Sequence, residues 1–170
     1  LNLMGYAVTI FEKNEAAGGL LRYGIPNFKL NKSVIDRRIN LLKEEGIEFK
    51  YGQEIAIDPQ SSLFKCFDAV VIATGTPTAR DLKAPGRDLK GVHFALELLS
   101  QQNRVLAGIE FSPSERITAK GKNVLVIGGG DTGSDCIGTA HRQGCKSVLQ
   151  ASKCRKSIGN RIPKADAPSW

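Results

Sequence analysis

The sequence is short of cysteine, histidine, tryptophan and long apolar runs, and each shortage excludes something. Its four cysteines stand at positions 66, 136, 145 and 154, and no two have C-x-x-C spacing. That removes the common zinc and iron–sulfur ligand patterns from this stretch. Reduced, scattered thiols of a cytoplasmic protein are the expectation. The two histidines, His93 and His141, have no serine, aspartate or metal-like spacing beside them. No nucleophile-and-base arrangement is visible, so no catalytic side chain and no metal ligand is assigned. One tryptophan, three tyrosines and seven phenylalanines against eighteen glycines argue against an aromatic-packed β-sandwich and for a glycine-turn α/β chain. No apolar run approaches the ~18 residues of a membrane helix. No basic segment followed by an apolar stretch marks a secretory signal.

What is present is a soluble-type composition with an uneven charge. The 170 residues are 41% hydrophobic and 24% charged, with a net charge of +7. Residues 120–170 hold nine Lys/Arg against three Asp/Glu, a net of +6, while residues 1–119 hold fifteen against fourteen. A basic end calls for an anion: nucleic acid, anionic lipid or a phosphorylated cofactor. Nucleic acid is disfavoured, because no aromatic interleaving and no recognised nucleic-acid fold accompany the charge. The length fits one domain or two small ones, but the chain opens on Leu1 in mid-pattern, which suggests a piece of something longer.

Along the chain, Tyr6–Glu12 reads as a strand ending in an acid, and Gly18-Gly19 opens a loop running past Gly24 and Pro26. Asn31 is placed to cap a helix with Val34, Ile35, Ile39, Leu41 and Leu42 at helical spacing, ending at Gly46. Ile47, Phe49 and Tyr51 alternate as a short strand, and Asp68–Ala73 is a continuous apolar run expected to be a buried parallel strand. Phe94–Leu99 suits a helix, whereas residues 103–121 read as irregular.

The clearest unit follows. Asn123–Ile127 is a strand, Gly128–Gly133 (GGGDTG) a glycine turn, Asp135–Gln143 a helix and Ser147–Ala151 a second strand. Gly128, Gly130 and Gly133 make G-x-G-x-x-G between strand and helix, the context a dinucleotide site needs. The first glycine allows the tight turn, the second lets backbone approach a pyrophosphate, and the third lets helix and strand pack closely. The helix N-terminus then offers unpaired N–H groups to the phosphates. Asp131 and Thr132 suit either a helix cap or a cofactor contact. No acid occurs from Val148 to Lys164, where an NAD site usually places one, and Lys153, Arg155 and Lys156 follow instead. That pattern favours the 2′-phosphate of NADP.

Four stretches carry a family resemblance: Gly18–Leu30 (GGLLRYGIPNFKL), Val34–Arg38 (VIDRR), Val70–Gly75 (VVIATG) and Val126–Gly144 (VIGGGDTGSDCIGTAHRQG). Together they resemble the small (beta) subunits of glutamate synthase, within the adrenodoxin-reductase-like FAD/NADPH flavoproteins. The resemblance spans roughly residues 1–151. It implies an α/β fold of two Rossmann-like nucleotide-binding domains, an NADPH domain inserted into an FAD domain that is incomplete here. Residues 1–86 would be the FAD part and 87–170 the NADPH part. By the same resemblance, Glu12 would bind the FAD ribose, and Gly19, Leu20 and Arg22 would line the flavin and pyrophosphate region. Lys29 would sit near the FAD, and Thr74 and Gly75 would close over it. Gly128, Gly129, Gly130, Asp131, Thr132 and Gly133, with Lys153 and Arg155, would hold NADPH.

The implied function is hydride transfer from NADPH to FAD. Electrons would then leave through iron–sulfur clusters that other segments hold, toward a glutamate synthase large subunit that forms glutamate. A ferredoxin–NADP or dihydropyrimidine-dehydrogenase-like flavoprotein module is the alternative within the same chemistry. The family's first FAD glycine motif, its closing FAD strand and its cysteine-rich segment are not in this sequence, and residues 151–170 depart from the family pattern.

Overall fold

The computed structural model describes residues 1–56, 58, 60, 62–76, 78–79 and 81–151. Lys153 and Arg155, and with them the basic cluster, lie outside the described residues.

After a 3₁₀ turn at Asn2–Met4 come strand β1 (Thr9–Glu12), helix α1 (Gly19–Tyr23), helix α2 (Lys32–Glu44) and strand β2 (Glu48–Tyr51). Then follow α3 (Ser62–Lys65), α4 (Ala95–Leu106), β3 (Asn123–Ile127), α5 (Gly130–Arg142) and β4 (Ser147–Ala151). The strands form two parallel pairs. β1 pairs with β2, Thr9 opposite Glu48 and Glu12 opposite Tyr51. β3 pairs with β4, Asn123 opposite Ser147 and Ile127 opposite Ala151.

Local chemistry explains most boundaries. The Asn31 side chain accepts the Ser33 N–H at 3.0 Å and starts α2. Gly46, at φ 94°, lets the chain turn out of that helix into β2. At α4, the Glu97 carboxylate reaches back to the Phe94 N–H at 3.0 Å. Gly18, at φ 126°, is pressed so closely that an added Cβ would lie 2.9 Å from Ile35 Cγ2. That contact seats α1 on α2.

The core lies where α1, α4 and α5 meet, around Ala17, Tyr23, Leu99, Cys136 and Ala140. It also buries Asn103, Asp135 and Thr139. Asn103 Nδ2 donates to the carbonyls of Tyr23 and Ile25, both at 3.0 Å, and so ties α4 to the end of α1. The burial of the Cys136 thiol, with Asp135 beside it, pushes its pKa up to about 11, as for a cysteine that packs in the core.

Four expectations are corrected. Asp68–Ala73 joins no ladder among the described residues, and Val70, Val71 and Ile72 are 47%, 71% and 58% exposed. A parallel strand exists only by pairing, and neither strand pair extends to this segment. Helix α4 runs on to Leu106 through residues read as irregular, because polar side chains on it bond to buried carbonyls. Helix α5 begins at Gly130 rather than Asp135, so much of the glycine turn is the helix's own first turn. β1 is likewise shorter than Tyr6–Glu12, with Tyr6 58% exposed.

Candidate dinucleotide site

The glycine turn sits between β3 and α5, as the spacing requires. Gly128 (φ 121°) and Gly130 (φ 76°) occupy the left-handed region that disfavours side chains. An added Cβ at either meets nothing within 4 Å, so the turn's outer edge is open. Gly133 is the reverse. Its conformation is ordinary, but a Cβ there would lie 3.2 Å from Gln150 Nε2 and 3.4 Å from the Gly128 carbonyl oxygen. Gln150, on β4, donates to that same carbonyl at 2.9 Å. The tight turn expected at Gly128 and the close packing expected at Gly133 match this geometry, and Gly130 adds a positive φ that the spacing does not announce.

Gly129 is the N-cap of α5, and no side chain caps it. Asp131 and Thr132 lie exposed on the first turn, so of their two readings the cap is not realised. The first amides of α5 therefore face outward, the arrangement that receives a phosphate. These residues fit a dinucleotide pyrophosphate.

The other half of the expected site is built around Glu12. Its Oε1 accepts from the Asn14 N–H at 2.9 Å and from Asn14 Nδ2 at 2.7 Å, which fixes the carboxylate at the end of β1. Arg104, from α4, donates to Asn14 Oδ1 and Glu15 Oε1, both at 3.0 Å, and lies 4.3 Å from the Tyr23 ring centre. Burial raises the Glu15 pKa, but its own N–H and Arg104 outweigh that and hold it below the ordinary carboxylate value. Tyr23 is buried. Its hydroxyl accepts the Ala16 N–H and donates to the Ala16 carbonyl, both at 3.2 Å. Burial, followed by the Glu15 charge, raises its pKa to about 12.

Gly19, at φ 49°, and Leu20, 54% exposed, form an open lip where α1 begins. Arg22 is committed inward, to the Ala17 carbonyl and to Asp36 Oδ1, both at 2.5 Å. Glu12 thus stands at one end of the loop between β1 and α1, and Gly19, Leu20 and Arg22 at its other end. That loop fits part of a flavin nucleotide site. Thr74 and Gly75 are not drawn in: none of the hydrogen bonds between described residues involves them. Lys29 points to the other half, with its Nζ 2.8 Å from Asp135 Oδ1 on α5. Hydrogen bonding to Asp135, then the charges of Asp135 and Asp131, raise its pKa.

With this geometry in place, the comparisons decide the family. Residues 2–162 match the pyridine nucleotide-disulphide oxidoreductases. The chain belongs to that family. Within it, the chain is 50% identical over 154 residues to the glutamate synthase [NADPH] small chain of Bacillus subtilis, across 90% of this chain and 31% of that one. It is 50% identical over 151 residues to the glutamate synthase [NADH] of Schizosaccharomyces pombe, across 87% of this chain and 7% of that protein. These bear out the resemblance read from the motifs. This oxidoreductase-family chain therefore spans about a third of the bacterial small chains it matches. Its fold is that of Mycobacterium tuberculosis FprA, solved in complex with NADPH, at a TM-score of 0.64 and 21% identity, over 85% of this chain and 36% of that one. Among the described residues no helix is long and apolar enough to cross a membrane, and no cluster of His, Cys, Asp and Glu could hold a metal.

Sequence reasoning missed Asn103, Arg104 and Asp135. The first two lie on a helix whose later turns carry no clear apolar period, and Asp135 was hidden inside the helix expected from the fingerprint.

Proposed function

We propose that this chain is the cofactor-holding centre of an NADPH-dependent flavin oxidoreductase of the glutamate synthase small-subunit type. Residues 1–86 supply part of an FAD-binding domain and residues 87–170 part of an NADPH-binding domain inserted in it. The observation that carries this is the fingerprint turn: two glycines with positive φ, a third closely packed against Gln150 and the Gly128 carbonyl, and an uncapped helix behind them.

The first turn of α5 binds the NADPH pyrophosphate through its amides. Gly130 leaves the approach clear, and Asp131 and Thr132 border it. Lys153 and Arg155 take the 2′-phosphate. Glu12, held by Asn14, accepts from the FAD ribose, and Gly19 and Leu20 border the flavin nucleotide, with Arg22 bracing that loop from behind. Thr74 and Gly75 complete the flavin side in the assembled protein. The cofactors supply the chemistry, a hydride from nicotinamide to flavin, and the chain supplies placement and exclusion of water. Electrons pass on through iron–sulfur clusters held elsewhere to a glutamate synthase large subunit, in the cytoplasm.

The test is anaerobic absorbance of the intact, FAD-loaded protein. NADPH should bleach the flavin bands, and NADH should do so far less well. An absence of bleaching by either nucleotide sinks the proposal; a strong NADH preference sinks only the role given to Lys153 and Arg155.

A further inference from the structure

One face of α5 carries a contact that neither nucleotide fingerprint requires. Asp135 is buried, with its side chain 8% exposed; its Oδ1 accepts no aligned hydrogen bond among the described residues, and the Lys29 ammonium 2.8 Å away is its ion-pair partner. A carboxylate held this deep without a cation would be costly. One turn along, Gly138 leaves the helix backbone bare, and the Phe28 ring fills the gap; a Cβ at Gly138 would lie 2.7 Å from Phe28 Cζ. A further turn along, the Arg142 guanidinium lies 3.7 Å from the centre of the same ring. Positions 135, 138 and 142 fall on one helical stripe. The adjacent pair Phe28-Lys29 therefore docks on that stripe by charge, by shape and by a cation–ring contact.

The docked segment is the end of the loop that starts at Gly18-Gly19. The helix it docks on is the one whose first turn forms the fingerprint. Lys29 is held in turn by its own N–H, which donates to the Pro26 carbonyl at 3.0 Å. The Lys32 ammonium, two residues past Leu30, donates to the carbonyls of Leu21 and Ile25 at 2.9 and 2.5 Å, which closes the loop on itself. Among the hydrogen bonds, ion pairs and ring contacts of the described residues, this segment meets α5 only through the adjacent residues Phe28 and Lys29, so a shift of that pair would be passed along it toward the flavin side.

We propose that Lys29 is a positioning residue. Through Asp135 it fixes the segment of residues 18–30, α1 included, against the fingerprint helix, and so sets where the flavin side lies relative to a nicotinamide held at that helix. This rests on the function proposed above and assigns Lys29 to the joint between the two nucleotide sites, not to FAD binding.

The experiment uses the intact, FAD-loaded protein and its K29M, K29R, D135N and K29M/D135N variants, with NADPH as the reductant. K29M should lower the first-order rate of flavin bleaching at saturating NADPH by about tenfold, the scale expected of a small misplacement. FAD content and the NADPH concentration giving half the maximal rate should stay within about twofold, since no nucleotide contact is lost. K29R should recover the rate to within about threefold. The double variant should be no slower than K29M, because both changes break one contact. Hydrogen exchange should quicken in residues 18–30 of K29M and stay unchanged in β1 and β2. An unchanged bleaching rate in K29M overturns the inference. So does a rise in half-saturation alone, which would make Lys29 a nucleotide ligand, or a loss of FAD in both K29M and K29R, which would make it a flavin ligand. If the unsubstituted protein is not bleached by NADPH, the proposed function fails, and the exchange comparison still decides whether the joint exists.

Discussion

Alanine at Gly130 and alanine at Gly133 should behave oppositely, although both residues belong to one motif. At Gly133 the added Cβ meets Gln150 Nε2 at 3.2 Å and the Gly128 carbonyl oxygen at 3.4 Å. Gln150 is exposed and can swing out, at the expense of its 2.9 Å hydrogen bond to Gly128. That loss is worth about 1 kcal/mol, and alanine returns about 1 kcal/mol of helix propensity over glycine. The net change should be within about 1 kcal/mol of zero. At Gly130 there is ample space, but φ is 76°. Alanine in that conformation costs about 1–2 kcal/mol, or the turn relaxes and carries the first amides of α5 away from the phosphate position. A shift of that energy corresponds to roughly tenfold in affinity. Urea unfolding at constant slope and NADPH titration of the intact protein measure the two quantities. G133V should lose about 1–3 kcal/mol by overpacking, which separates space from conformation. A loss above about 2 kcal/mol in G133A, or a G130A variant unchanged in both stability and affinity, would refute the division of labour among the glycines.

Asn103→Leu removes the donors to the Tyr23 and Ile25 carbonyls; it should cost about 2–3 kcal/mol by urea unfolding, and a change below about 0.5 kcal/mol would contradict it. Tyr23, with its pKa raised to about 12, keeps its proton in the folded state while the unfolded chain loses it near 10. Stability is therefore full below pH 10 and should decline between about pH 10 and 12, by about 1–2 kcal/mol once solvent screening is allowed for. Y23F should abolish that decline and remove the highest-pH phenolate absorbance step. Cys136, with its thiol pushed up to about 11, should stay unlabelled by a disulfide reagent at pH 8 while exposed Cys66 is modified, as peptide mapping would show; rapid labelling of Cys136 in the folded protein would refute its assignment to packing.

The parts legible in the sequence were those written in local chemistry. Asn31 caps α2 through its own side chain, Gly46 ends it, and the three fingerprint glycines sit in register between a strand and a helix. Asp68–Ala73 misled because an apolar run reports a preference for burial and says nothing of a partner to pair with. Thr74 and Gly75, at the end of that run, come from the family resemblance and not from the apolar pattern, so the unpaired run does not bear on them. Helix α4 was legible only to Leu99, since its later turns look outward-facing until the groups they serve are known. Asn103 is buried because carbonyls 78 and 80 positions away need donors, and no local period records such a need.

The joint between the two halves follows the same division. Arg104 and Asn103 on α4 hold residues 14–25. On the same helix, Gln101 accepts the Ile117 N–H at 2.6 Å, and Gln102 accepts from Arg116 Nη2 at 2.8 Å and from Gln143 Nε2 at 2.7 Å. Gln143 in turn accepts the Ala119 N–H at 2.8 Å, beside the start of β3. Among the described residues the two strand pairs share no ladder, so their relative placement is set by the apolar packing of α1, α4 and α5 together with these polar side chains and Lys29 with Asp135. Hydrogen bonds are directional where apolar packing is not. A protein that must hold two nucleotides at one fixed separation gains from a joint built this way, because a slipped register would leave buried carbonyls and a buried carboxylate unpaired. That is why glycine spacing disclosed the strand–turn–helix unit while the joint stayed hidden: one is a property of consecutive residues, and the other of polar groups that meet only after the chain has folded.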